Sequence, residues 1–216
     1  MSKITKFICA TLGAFTLVFG SSAMTAQAQG LGEFNGADFT CLEYTNGLGA
    51  NASGKIQSQL GHLWVLGYLS GYYKANDTLE MTEDEGAGES LYNIMLQTCR
   101  EYPQNSLLSI AMQALAVEAR AMPAAPMMEF TPSGYTCGQH VEARGGSAAD
   151  ANKADLADLW AFAFIQGFKN VSVPDMEIAI ENKPALTGAI AQNCEKNPDM
   201  AFMDLTALVA RAVKIE

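Results

Sequence analysis

The side chains of this chain best suited to chemistry are five cysteines and two histidines. Cys9 lies in an apolar N-terminal stretch, which leaves Cys41, Cys99, Cys137 and Cys194. Their spacing contains no C-x-x-C redox or zinc motif, and H-x-x-x-H is absent too. His62 and His140 stand apart in sequence and read as ordinary surface or packing histidines. Glu83-Asp84-Glu85 lacks the alternating oxygen ligands of an EF-hand loop and reads as a solvated acidic turn. Neither a catalytic set nor metal ligands nor a cofactor fingerprint emerges, so the chain is read as no enzyme, with no cofactor and no metal. The chemistry left to the cysteines is disulfide formation, which needs an oxidising compartment.

The N-terminus supplies a route to one. Residues 1–28 read as a cleaved signal peptide: Lys3 and Lys6, an apolar core over residues 7–20, then Ala26-Gln27-Ala28. That core is shorter than the roughly 20 residues of a membrane span, and no other stretch approaches that length, so no membrane insertion is expected. Removing it takes away two lysines and no acid, moving the net charge from −10 to −12. Such a surface disfavours nucleic acid and anionic lipid as partners. With 49% hydrophobic residues in a regular pattern, the chain is not disordered.

The elements that would hold the cysteines appear twice. Trp64-Val-Leu-Gly-Tyr-Leu-Ser-Gly-Tyr-Tyr73 is echoed 96 positions later by Trp160-Ala-Phe-Ala-Phe-Ile-Gln-Gly-Phe-Lys169. The shared face (Trp64/Trp160, Gly67/Ala163, Tyr68/Phe164, Gly71/Gly167, Tyr72/Phe168) follows the stripe of an α-helix. The residues between are apolar too, which predicts a buried central helix in each half. Its glycines cost about 1 kcal/mol each against alanine, so close approach of another helix is the expected return. Gly67-Tyr-Leu-Ser-Gly71 resembles a nucleophile elbow only superficially: the serine is one place off, and Gln166 stands in for Ser70 in the echo.

Four cysteines allow three pairings, and the repeat chooses among them. Cys41 matches Cys137 and Cys99 matches Cys194, so pairing within each half is the simplest reading. Thr40-Cys41-Leu42-Glu43 and Thr136-Cys137-Gly138-Gln139 predict capping boxes that start a short helix. Loops over 46–54 and 145–152 precede the central helices. A third helix ends just after the second cysteine, before Pro103 or Pro198, and a fourth closes each half. The resulting expectation is an all-α chain of two tandem small disulfide-stapled helical bundle domains, an internal duplication. Residues 29–38 form a flexible N-terminus, 39–120 the first repeat, 121–134 a Pro/Met-rich extended linker and 135–216 the second repeat. The two halves are expected to pack as an intramolecular pseudo-dimer.

On these residues, each half resembles the HdeA/HdeB-like acid-stress chaperones of the bacterial periplasm. The resemblance rests on the signal peptide, the Thr-Cys helix start, the central Gly-x-x-x-Gly helix and the second cysteine ending a helix just before proline. It covers 39–118 and 135–214. It implies a periplasmic protein that binds unfolded proteins at low pH, with Trp64, Gly67, Tyr68, Gly71, Tyr72, Trp160, Phe164, Gly167 and Phe168 forming the client-binding or packing helices. The tandem arrangement departs from the family's single domain that dimerises. A periplasmic immunity protein of the Tai/Rap type, blocking secreted amidase effectors, has a similar helical layout with paired cysteines. A non-catalytic envelope binding module is the third reading.

Overall fold

A computed structural model describes residues 33–49, 52–76, 82–83, 87–116, 121–122, 130–174 and 176–214. The expected signal peptide, most of the Glu83-Asp84-Glu85 turn and residues 123–129 of the expected linker lie outside them. Among the described residues the fold is all-helical, with the same helix order in each half. The first half holds α1 (Cys41–Gly49), α2 (Ala52–Ala75), α3 (Ala87–Glu101) and α4 (Leu107–Ala116). The second holds α5 (Cys137–Gly145), α6 (Ala148–Asn170), α7 (Lys183–Lys196) and α8 (Phe202–Ala212), with a 3₁₀ turn at Ile180–Asn182 before α7. Where no strand was expected, β1 (Thr82–Glu83) and β2 (Ala121–Met122) pair in parallel, each only two residues long.

Local chemistry sets the helix starts. Thr136 Oγ1 accepts from the Gln139 amide at 3.3 Å while Gln139 Oε1 accepts from the Thr136 amide at 2.9 Å. Thr40 and Glu43 repeat both bonds at α1. Each box satisfies two amide groups that would otherwise lack a helical partner. The loop expected over 145–152 is shorter, because Ser147 caps α6 and closes a third box with Asp150. In the first half, too, α1 runs to Gly49 and α2 is helical from Ala52, well inside the expected 46–54 loop.

Each half is closed by the same backbone clasp. The Cys41 and Leu42 amides donate to the Asn105 and Pro103 carbonyls, and those of Cys137 and Gly138 donate to Met200 and Pro198. The Leu107 amide returns a bond to the Phe39 carbonyl, as Phe202 does to Tyr135. Beside the clasp lie the disulfides Cys41–Cys99 and Cys137–Cys194, which close loops of 58 and 57 residues. Restricting the unfolded chain by loops of that size is worth about 4 kcal/mol each.

The repeat unit begins earlier than residues 39 and 135. Phe34, expected in a loose N-terminus, is fully buried, with its ring centroid 5.0 Å from that of Phe39. Phe130, expected in the linker, is buried 5.1 Å from Tyr135 and 6.3 Å from Trp160. Gly36 lies so close to the Trp64 indole that a Cβ there would overlap the ring. Residues 33–38 are therefore ordered, because two aromatic anchors and a close backbone approach hold them to the core.

Candidate functional site: the crossing of the central helices

The most extensive helix pairing in the protein joins α2 to α6, one from each half. It is built on glycine. A Cβ at Gly71 would fall on the Phe164 carbonyl, and one at Gly167 on the Tyr68 carbonyl. These two contacts exchange when the halves are interchanged, as in an isologous dimer interface. Gly67 sits over the Trp160 carbonyl and the Ala163 methyl, its own repeat partner. Only residues without side-chain bulk allow backbones to approach this closely. The Asn170 amide donates to the Tyr68 hydroxyl at 2.9 Å across the same interface.

This crossing brings together the central-helix residues singled out in the sequence. Trp64, Tyr68, Trp160 and Phe164 are buried, while Tyr72 and Phe168 are partly buried against the core. Trp64 stacks on Tyr68 at 5.7 Å, and Trp160 lies 5.0 Å from Phe164. In this closed form α2 and α6 meet through glycines and backbone, while the Trp64 and Trp160 rings pack within their own halves, against Gly36 and against Phe130 and Phe202. Both central helices are packing helices, and exposing their aromatics requires each half to open. Ser70, in the false elbow, donates to the Leu66 carbonyl of its own helix at 2.6 Å. Gln166 reaches outward instead. Its side-chain amide donates to the Met176 carbonyl and accepts from the Ile178 amide, which pins the segment that leads to α7.

The histidines are buried, which sequence spacing did not reveal. His140 Nε2 lies 3.3 Å from Asp158, whose other oxygen accepts from Arg144 at 2.7 Å. Burial pushes the Tyr135 hydroxyl up to about 12, with the Asp158 charge adding to it. Lys183, 5% exposed, is pushed down to about 8 by burial, in spite of Asp158 and Asp155 nearby. Asp155 is raised, first by burial and then by Asp158. In the first half His62 is 1% exposed, and neither of its ring nitrogens has a hydrogen-bond partner. Its ring stacks on Tyr92 at 5.9 Å, and burial alone pushes it down to about 4.

Among the described residues no three His, Cys, Asp or Glu side chains converge as metal ligands, and no helix is long and apolar enough to cross a membrane. Sequence reasoning missed the anchors Phe34 and Phe130. Their signal was present: Glu33-Phe34 and Glu129-Phe130 each stand five residues before an aromatic-Thr-Cys run. It also missed the His140–Asp158 contact, which depends on how α5 lies on α6. No characterised protein and no solved structure matches the chain. The family model of HdeA/HdeB matches residues 107–204, from the start of α4 through α5, α6 and α7 into α8, and so takes in most of the second half.

Proposed function

We propose that this is an exported, non-enzymatic chaperone of acid stress, acting in the periplasm on proteins unfolded by low pH. The observation that carries the reading is the HdeA/HdeB match over residues 107–204, read together with two disulfide-closed halves whose aromatic residues are buried. At neutral pH, with residues 1–28 removed, the chain carries −12. Below the carboxylate range near pH 4 that becomes about +13, from the eleven remaining Lys and Arg and two His. Repulsion then rises and carboxylate pairings such as Arg144–Asp158 are lost, which favours loosening of the halves. The disulfides keep each half collapsed, and faces such as Trp64/Tyr68/Tyr72 and Trp160/Phe164/Phe168 become available to unfolded clients.

The test is client aggregation measured by light scattering, with an acid-denatured protein, at about pH 2–3 and at pH 7. Suppression in acid alone is the expected result, with binding of an apolar dye rising between about pH 4 and pH 2. A protein that stays closed and inert there loses this reading, and an inhibitor of a secreted effector becomes the better one.

A further inference from the structure

The two halves solve the same buried position differently. Position 44 on α1 and position 62 on α2 correspond to 140 on α5 and 158 on α6. In the second half that pair is imidazole and carboxylate, 3.3 Å apart, with Arg144 on the other carboxylate oxygen. In the first half it is phenol and imidazole, Tyr44 and His62. Neither imidazole makes a hydrogen bond, nor does the Tyr44 hydroxyl; the difference between the halves is the Asp158 carboxylate oxygen 3.3 Å from His140 Nε2. His140 has a carboxylate beside it. A proton added to His62 puts an uncompensated cation into a core, which is strongly unfavourable.

Among the described side chains, the elements packed around His62 offer it no relief. Tyr44 on α1 and Tyr92 on α3 are neutral phenols, and Tyr44 is driven further from ionising by burial and by Tyr92. Glu43 of α1 is exposed and engaged in the Thr40 capping box. Asp38 of the preceding turn accepts from Asn35, and Glu33 is exposed. No residue of α4 over Leu107–Ala116 is titratable. On α2 itself the other titratable groups are Lys55, Tyr68, Tyr72, Tyr73 and Lys74, and Lys74 is bound to Asp204. At the far end of α3 stand Arg100 and Glu101. On α6, Asp158 is engaged with His140 and Arg144, Asp155 interacts with Arg144 and Lys183, Asp150 caps its own helix, and Lys153 and Lys169 are cations.

We propose that the first half is the acid sensor of the molecule: protonation of His62 primes it for opening at mildly acidic pH, ahead of the second half, where His140 faces Asp158. The consequence follows from linkage. The folded-state value of about 4 lies below the unfolded value of 6.5. The stabilising effect of a neutral His62 is therefore complete above about pH 6.5, declines as pH falls, and is gone below about pH 4. Across that window the opening equilibrium of the first half rises on the order of 100-fold, before the bulk of the carboxylates titrate. This deepens the acid-chaperone reading and rests on it only for its purpose, since the opening is measured without any client.

Hydrogen exchange of the purified protein, read by peptide and corrected for intrinsic rates at pH 7, 5.5 and 4, is the test. Peptides from α2 and α3 should gain exchange on the order of 100-fold relative to those from α6 and α7, and His62→Phe should abolish the gain. Both halves opening together, or an unchanged gain in His62→Phe, overturns the proposal. Should His62→Phe fail to fold, imidazole titration by NMR in the unaltered protein decides. A His62 titrating well below 6.5 as α2 opens supports the sensor, and one titrating at 6.5 overturns it. Client protection is scored separately, so a half that opens without protecting clients ends the chaperone reading and leaves the sensor standing.

Discussion

Around α5 and α6 the second half gathers Tyr135, His140, Arg144, Asp155, Asp158 and, from α7, Lys183. At the matching places the first half has Phe39, Tyr44, Leu48, Gln59, His62 and Gly88. One half thus carries a charged cluster that runs from buried His140, Asp158 and Lys183 out to exposed Arg144 and Asp155. The other carries neutral groups and one imidazole that is stable only while neutral. Yet the backbone clasp, the disulfide and the crossing pair Gly71/Gly167 are the same in both, with Ala163 where the first half has Gly67. Two similar scaffolds can therefore respond differently to protons, because burial makes each ionisable side chain depend on what the neighbouring helix supplies.

The largest expected effect tests whether the two cores are equivalent. Trp64→Ala and Trp160→Ala each remove a fully buried indole and should destabilise by roughly 3–5 kcal/mol in urea unfolding. Trp160 also meets Phe130, Phe164 and Phe202, so its loss should fall at the upper end. A near-neutral result for either would remove that helix from the core.

Lys183 sharpens the electrostatic contrast. Its folded value of about 8 lies below the unfolded 10.5. Its burial penalty is therefore fully present below pH 8 and is relieved as pH rises toward 10.5, by roughly 3 kcal/mol at most. Stability of the unaltered protein minus that of Lys183→Met, followed from pH 7 to 10.5, should climb by an amount of that order. A flat difference would mean that Asp155 and Asp158 fully compensate the buried ammonium.

The glycines test the symmetry of the crossing. Gly71→Ala and Gly167→Ala each gain about 1 kcal/mol of helix propensity but push a methyl into a backbone carbonyl. Overpacking of about 1–3 kcal/mol or more should win, and by similar amounts at both positions. Thermal melts showing a gain at either site would mean the helices separate without cost.

The smallest effect belongs to the caps. Thr40→Ala and Thr136→Ala should each lower stability by about 1 kcal/mol in the same unfolding assay. A larger loss at Thr136 would show the second half leaning more on its first helix, on which His140 and Arg144 are carried.

Much of this fold was legible in the residues themselves. The capping boxes are local, since a threonine and an acid or amide three residues on contain everything their hydrogen bonds need. The central helices announced themselves by an apolar stripe at helical spacing, and the prolines after the cysteines marked where α3 and α7 stop. Pairing of the cysteines within each half followed from their repeat spacing, and the glycines of the central helices announced a close helix approach without saying which helix arrives. The loose N-terminus and the extended linker were misjudged at Phe34 and Phe130. Glycine- and proline-rich flanks suggest mobility, whereas a single buried ring is enough to hold a strand of chain against a core.

What the tertiary structure alone decided is the state of the ionisable groups. In sequence, His62 stands between Gly61 and Leu63 and His140 between Gln139 and Val141, and neither setting names the side chain it will meet. The packing of α5 on α6 puts a carboxylate beside His140, whereas His62 stacks on the Tyr92 ring. Helix periodicity states which face turns inward. It does not state which side chain of a neighbouring helix arrives there, and in a low-dielectric interior that neighbour sets the charge.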